Sequence, residues 1–249
     1  MTEQIPAPKA QGIGSALMNA FSSPSEAFEG LRESESKATF WLIPLILLIV
    51  LASVSTVMIF SNDTLKNQIL ESRELAMQKQ VDSGKMTQEQ ADRAKSQMES
   101  MGGMFIAIGI IGSVVFLSAM FFGAALALWL ISKLALQSTA GYGKYLEMYG
   151  ISSWIALLGG IVTLLMIVGL NSMYASPSAA LAVLATYDPL NTTHKFLAAI
   201  NVFSIWQAVV VGFGVGKLGG KSAGVGIGVA LGLWVVWVVV QVLLLGFAR

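Results

Sequence analysis

Few residues in this chain could carry acid–base, nucleophilic or metal chemistry. The only histidine is His194, a lone polar residue beside Lys195, and Asp188 and Glu147 are too far apart in sequence to suggest an acid pair. The absence of cysteine excludes disulfides, thiolate catalysis and cysteine-ligated metals. No Ser-His-Asp triad or metal-binding set can be assembled from these residues. We therefore predict no catalytic residue, no metal site, no cofactor and no enzymatic activity.

Two glycine-rich motifs are similar to nucleotide-binding sequences but lack the required context. Residues 214–219 fit the Gly-x-Gly-x-x-Gly pattern, and Gly220-Lys221-Ser222 resembles the end of a Walker motif. The Walker pattern needs a glycine where Val215 stands, and no β-strand or βαβ unit is predicted around either motif. We interpret both as chance matches.

The same region has a glycine series with a spacing of four residues, comprising Gly212 and Gly216 and then Gly224, Gly228 and Gly232. Small residues at this spacing let membrane helices approach closely. We favour packing between neighbouring helices within the chain, because glycine is common in membrane helices. The alternative is a surface for a partner or a second copy.

The elements that must position these residues are membrane helices. Apolar residues make up 55 % of the chain and charged residues 12 %, and a helix needs roughly 20 apolar residues to cross the hydrocarbon layer. The sequence predicts an all-α integral membrane protein with one span at 38–60 and a four-helix transmembrane region at 102–249. The four later spans are predicted at about 102–132, 146–170, 196–216 and 223–247.

The segment 61–101 has a different composition, rich in charged residues and glutamine, and predicts an extramembrane helical hairpin. Ser83-Gly84-Lys85 ends its first helix, and Thr87-Gln88-Glu89-Gln90 reads as a capping box that starts its second. A stripe of Ala91, Ala94, Met98, Met101 and Phe105 predicts that this second helix continues into the next span.

Residues 1–37 are predicted to form a cytoplasmic segment with two short amphipathic helices on the membrane surface. The second helix is predicted to start at Ser23-Pro24-Ser25-Glu26, with Ser23 as its cap. The predicted interface anchors are aromatic residues, as is typical of membrane interfaces: Phe21, Phe28, Trp41 and Trp206.

Polar residues within the predicted spans are Asn201, Gln207 and Gln241. We interpret them as hydrogen-bonding groups between helices, and alternatively as a polar patch for lipid or substrate. No charged residue lies in the middle of a span, although proton-coupled pumps, many ion-coupled transporters and voltage sensors usually need one.

Basic residues in short turns predict the orientation. Lys133, Lys144, Lys217 and Lys221 flank two turns on one side, which indicates a cytoplasmic N-terminus and, after five spans, a C-terminus outside. The net charge of +1 gives no indication of nucleic-acid binding.

Several segments together resemble the Yip domain family of five-span membrane proteins, in its bacterial branch. They include Phe21, Pro24 and Phe28, the hairpin sequence at 85–90, and Asn201-Val202-Phe203-Ser204-Ile205-Trp206 before a glycine-rich turn. The resemblance covers roughly residues 13–248 and implies five helices, a cytoplasmic N-terminus and a bacterial inner membrane. Eukaryotic members bind Rab GTPases, but their Asp-Leu-Tyr-Gly-Pro signature is missing, so Rab binding is not expected.

The resulting functional hypothesis is a non-enzymatic, membrane-organising or partner-binding protein, such as an accessory subunit. It would act through the hairpin, the N-terminal helices and the glycine faces, with membrane lipids and a membrane protein or a second copy as partners. The alternative is a transporter or channel-like component for a neutral or lipidic substrate, and a membrane enzyme ranks third.

Overall fold

A computed structural model describes residues 12–100 and 104–243, apart from the side chains of Met98, Glu99 and Phe105. Within these residues the chain forms ten α-helices and one 3-10 helix, Ala179–Thr186. The α-helices are α1 (Ile13–Ser22), α2 (Pro24–Ala27), α3 (Thr39–Phe60), α4 (Asp63–Asp82), α5 (Gln88–Ser100), α6 (Met104–Ala135), α7 (Tyr142–Leu170), α8 (Thr192–Ala199), α9 (Val202–Gly219) and α10 (Ala223–Leu243).

Five of these helices, α3, α6, α7, α9 and α10, are long and apolar enough to cross a membrane. This confirms the predicted all-α membrane fold with five candidate spans. The helices differ in how much of their most apolar stretch the protein buries, from 11 % in α3 to 44 % in α9. Helix α9 therefore packs more extensively against protein than α3 does.

The chain divides into two compact units. The first contains 117–159, 202–238 and the described residues up to Leu48. The second contains 160–201 and the described parts of 49–116 and of the segment from Val239 onward.

In the first unit, the N-terminal helices α1 and α2 are part of the protein core. Ala16, Ala20 and Phe28 are buried in one cluster with Met148 of α7 and Val215 of α9. The amphipathic pattern predicts these helices correctly, and their buried face packs against other parts of the protein. Their position at the membrane surface stays a prediction.

The start of α2 also differs in detail from the prediction. The helix begins at Pro24, as expected, but it has four residues and the Ser23 side chain makes no capping hydrogen bond. Pro24 favours this start, because its fixed φ suits the first helical turn.

In the second unit, α4 and α5 form a helix pair. The capping box at the start of α5 is confirmed: the Thr87 N–H donates to Gln90 Oε1 at 2.9 Å, and the Gln90 N–H donates to Thr87 Oγ1 at 3.2 Å. Gly84 lies just after the end of α4 with φ of 71°, a backbone conformation that glycine adopts without strain. The two helices are joined by an ion pair between Lys95 and Glu74 at 2.5 Å.

The predicted continuation of α5 into the next span falls at Met101–Gly103, outside the described residues. The Met98 and Phe105 side chains of its stripe are also outside them. The extramembrane position of the helix pair stays a prediction.

The predicted span at 196–216 is interrupted. Helix α8 ends at Ala199 and α9 begins at Val202, because the Ile200 carbonyl accepts from the Ala179 N–H at 3.0 Å and the Asn201 backbone bridges to Ser178. Helix α7 starts at Tyr142, earlier than the predicted 146, and the end of the predicted last span, 244–247, lies outside the described residues.

Candidate functional site

A buried ion pair holds the N-terminal segment in the first unit. Glu147 is 1 % exposed; its Oε2 accepts from Lys144 Nζ at 3.2 Å and its Oε1 from the Lys37 backbone N–H at 2.8 Å. Lys144 Nζ also contacts Ser34 Oγ at 3.3 Å. Glu147 and Lys144 both lie in the first two turns of α7. Their side chains contact Lys37 and Ser34 in the linker between α2 and α3. Because each charge is paired and hydrogen-bonded, the arrangement suits a structural clamp.

A cavity of about 20 Å³ lies beside this clamp, with Ser34 and Lys37 in its wall. That volume holds about one water molecule and no organic substrate.

A second set of hydrogen bonds holds the turn between α6 and α7 in the same unit. Ser138 Oγ donates to the Leu218 carbonyl at 2.8 Å, and the Tyr145 hydroxyl donates to Ser138 Oγ at 3.1 Å. Arg32 Nη2 donates to Thr139 Oγ1 at 2.9 Å. The N-terminal segment and the end of α9 are thereby both fastened to this turn.

The predicted interface anchors have aromatic partners in the first unit. Phe21 and Trp206 meet edge to face with ring centroids 5.7 Å apart, and Trp41 meets Phe122 at 5.6 Å. Phe28 is 1 % exposed, so this residue is a core residue and does not face lipid. The hydrophobic pattern of a helix is the same whether its apolar face meets lipid or protein, which is why the sequence misplaced it.

The two glycine sets occupy different surroundings. A Cβ at Gly212 would collide with the Ile227 backbone, and one at Gly216 would lie 2.9 Å from the Ser222 carbonyl oxygen. Both glycines thus let α9 approach α10. Within the described residues, nothing lies within 4 Å of a Cβ built on three α10 glycines: Gly224, Gly228 and Gly232.

The sequence interpretation missed Gly226, which makes the closest approach. A Cβ there would collide with the Gly212 carbonyl oxygen and the Gly216 backbone N. Gly226 lies midway between Gly224 and Gly228, so the spacing of four residues that identified those two glycines does not include it.

The three amide residues are not all in spanning helices. Gln207 lies on α9 and Gln241 on α10, both half-buried. Asn201 lies in the break before α9, where its backbone pairs with Ser178, so it is not part of the spanning helix. Its location within the membrane stays a prediction.

In the second unit, two side chains of the α3–α4 region fasten the loop after α7. Gln68 Nε2 donates to the Asn171 carbonyl at 2.8 Å, and Gln68 Oε1 accepts from the Met173 N–H at 2.8 Å. Asn62, which caps α4 through Leu65, also donates to Asn171 Oδ1 at 3.2 Å. The base of the helix pair is therefore held at a defined position on this loop.

We expect Gln68→Ala to weaken this attachment by about 1 kcal/mol, because two hydrogen bonds to backbone groups are replaced by water. The amide of Met173 should then exchange about fivefold faster in hydrogen-exchange mass spectrometry. Gln78→Ala is the matched control, since the Gln78 side chain donates to Asp82 on its own helix. Equal exchange in both variants would contradict the attachment.

His194 lies in an aromatic cluster of the second unit. The rings of Tyr174 and Tyr187 stack with centroids 4.6 Å apart, and the His194 ring lies 5.5 Å from Tyr187. Burial, then the charges of Tyr174 and Asp188, raises the pKa of Tyr187 to about 12, and burial is the main cause of the raised pKa of Tyr174. The sequence predicted an ordinary surface position for His194. Asn191, which caps α8, is the residue that could have indicated that His194 lies at the start of a helix.

The candidate acids of the sequence are in different units, Glu147 in the first and Asp188 in the second. Within the described residues, no group of three or more His, Asp or Glu side chains is arranged to hold a metal ion.

Comparison with known protein families gives a match over most of the chain. The family model described as Yip1 domain matches residues 18–245. No curated protein and no solved structure matches significantly. The match spans nearly all of the chain and includes the clamp, the helix pair and the five candidate spans, so the chain belongs to the Yip1 domain family.

Proposed function

We propose that this protein is a non-enzymatic accessory or membrane-organising protein that binds a membrane-protein partner through the α4–α5 helix pair. The observation that carries the proposal is how the pair is held. Gln68 and Asn62 fix its base to the loop after α7, while Leu75 farther along α4 is 45 % exposed. A fixed base and an exposed apolar side chain on a charged helix are suited to docking with another helix.

The proposed location is the bacterial cytoplasmic membrane, with the N-terminus cytoplasmic and the C-terminus outside. The first unit contains both the N-terminal helices and three exposed lysines, Lys133, Lys217 and Lys221. Exposed lysines in short turns favour the cytoplasmic side, so they support a cytoplasmic N-terminus. Lys144 counts for less, because Glu147 neutralises it.

Membrane lipids are the further proposed partners, and the face of Gly224, Gly228 and Gly232 is open to lipid, a partner helix or a second copy. The transporter alternative needs the three amides to line one polar path. The Asn201 backbone pairs with Ser178 in the break before α9, so Asn201 lies outside the spanning helix. This position gives no support to a polar path along that helix.

The proposal is tested by recovering the full chain and its companions in gentle detergent. Deleting residues 63–100 is expected to abolish recovery of the partner while membrane insertion persists, because the docking surface is gone. Unchanged recovery would contradict the role of the helix pair.

A point substitution makes the same test without removing an element. Leu75→Ser should reduce partner recovery about tenfold, since a leucine buried in an interface contributes about 1.5–3 kcal/mol. Leu134→Ser is the matched control, because Leu134 is a more exposed leucine at the end of α6. Equal recovery in the two variants would remove Leu75 from the interface.

A further inference from the structure

The loop between the 3-10 helix and α8 is closed by the chain's only histidine. The Asp188 N–H donates to His194 Nδ1 at 2.9 Å. Asn191 Oδ1 accepts from the N–H groups of Thr193 and His194, so it fixes the first turn of α8 and the His194 backbone with it. A ring nitrogen accepts a hydrogen bond only while it carries no proton. The closed loop therefore requires neutral imidazole.

We propose that His194 is a pH-sensitive latch, which holds residues 187–191 closed when neutral and releases them when protonated. Protonated Nδ1 would bring its own N–H against the Asp188 N–H. Two donors cannot stay at a separation of 2.9 Å, so either the ring or the loop must move. Histidine is the side chain whose ordinary charge change falls between about pH 5 and 8.

The loop and α8 carry two charged residues beside His194, Asp188 and Lys195. The Asp188 carboxylate attracts an imidazolium, but its Oδ1 already accepts from the Leu190 N–H at 2.7 Å. A positive charge on His194 is opposed by the helix dipole, because His194 lies in the first turn of α8, at the positive end of that dipole. Lys195 follows His194 directly, and the 3-10 helix packed against α8 has no titratable side chain.

The aromatic cluster links the latch to the loop after α7. Tyr187 lies between His194 and Tyr174, and its hydroxyl is buried without a hydrogen-bond partner among the described residues. An unsatisfied buried donor opposes the closed state, and opening lets water reach it. Tyr174 interacts with Ser72 and Glu71 of α4. A movement of Tyr187 would therefore alter the stacking of a ring that contacts the helix pair.

The latch is tested on the full chain in lipid nanodiscs by nitrogen NMR, where a single histidine gives an unambiguous signal. At about pH 8 we expect Nδ1 to show the shift of an unprotonated acceptor. Between pH 8 and 5 this shift should be lost together with protection of the Asp188 amide, whose exchange, corrected for intrinsic pH dependence, should rise about tenfold. Protection that does not change while Nδ1 takes up its proton would overturn the proposal.

Two variants separate titration from loss of the ring. His194→Asn places an amide oxygen near the Nδ1 position, so protection of Asp188 should persist at both pH values. His194→Phe keeps a ring without an acceptor, so protection should be low at both. Protection in His194→Phe equal to that of the parent at pH 8 would show that the hydrogen bond does not hold the loop.

A spin label gives a second readout that does not depend on amide exchange. The chain has no cysteine, so Thr186→Cys, at an exposed position beside Tyr187, carries the only label. Label mobility should increase on acidification in the parent and stay constant in the His194→Asn background. An equal increase in both backgrounds would assign the movement to another group and overturn the latch.

Discussion

Replacing Glu147 with leucine is expected to destabilise the first unit by about 3–5 kcal/mol, the typical effect of removing one partner of a buried ion pair. The substitution leaves Lys144, 9 % exposed, without its counter-charge and removes the acceptor of the Lys37 N–H. The segment containing α1 and α2 should then detach. Thermal unfolding in detergent measures the loss, and limited proteolysis near residues 32–38 reports the detachment.

Two further variants make this result specific. Lys144→Met combined with Glu147→Leu should recover most of the stability, because replacing a whole buried pair with apolar side chains is often neutral or stabilising. Glu29→Leu is the matched control: Glu29 is exposed and 4.0 Å from Lys217, so its removal should cost less than about 1 kcal/mol. Equal losses for Glu147→Leu and Glu29→Leu would show that the clamp contributes nothing.

The features that the sequence predicted well depend on neighbouring residues. Five candidate spans follow from runs of apolar residues, because membrane thickness sets the helix length. The start of α5 follows from Thr87 and Gln90, which satisfy each other within one turn. Gly84 marks the end of α4 for a similarly local reason, because glycine adopts a positive φ without strain.

The features that the sequence missed depend on residues far apart in the chain. Glu147 looked like a charge at the edge of a span, since its partner Lys37 lies 110 positions away. The break before α9 is set by Ser178 and Ala179, which take the backbone groups of Ile200 and Asn201. Neither pairing leaves a pattern in one stretch of sequence.

The glycines show the same limit within a single helix. A period of four placed Gly224, Gly228 and Gly232 on one face, and that face is open within the described residues. The closest contact with α9 uses Gly226 on a different face. Spacing identifies which glycines share a face, but only the position of the neighbouring helix decides which face is packed.

Gly226→Ala should therefore destabilise the first unit by about 1–3 kcal/mol, the usual effect of overpacking, and more if the helices cannot separate. The added methyl would collide with backbone atoms of Gly212 and Gly216, which cannot rotate away as a flexible side chain would. Thermal unfolding in detergent measures the change, and separation of α9 from α10 is its expected cause.

Gly228→Ala is the matched control on the same helix, and its effect should have the opposite sign. Nothing within the described residues obstructs the new methyl, and alanine favours a helix by up to about 1 kcal/mol over glycine. The pair of variants thus compares one atom added at two positions two residues apart. A loss of stability at Gly228 as large as that at Gly226 would mean that the face of Gly224, Gly228 and Gly232 is covered in the membrane by a second copy or a partner. The dependence of that loss on protein concentration would distinguish a second copy from a different protein.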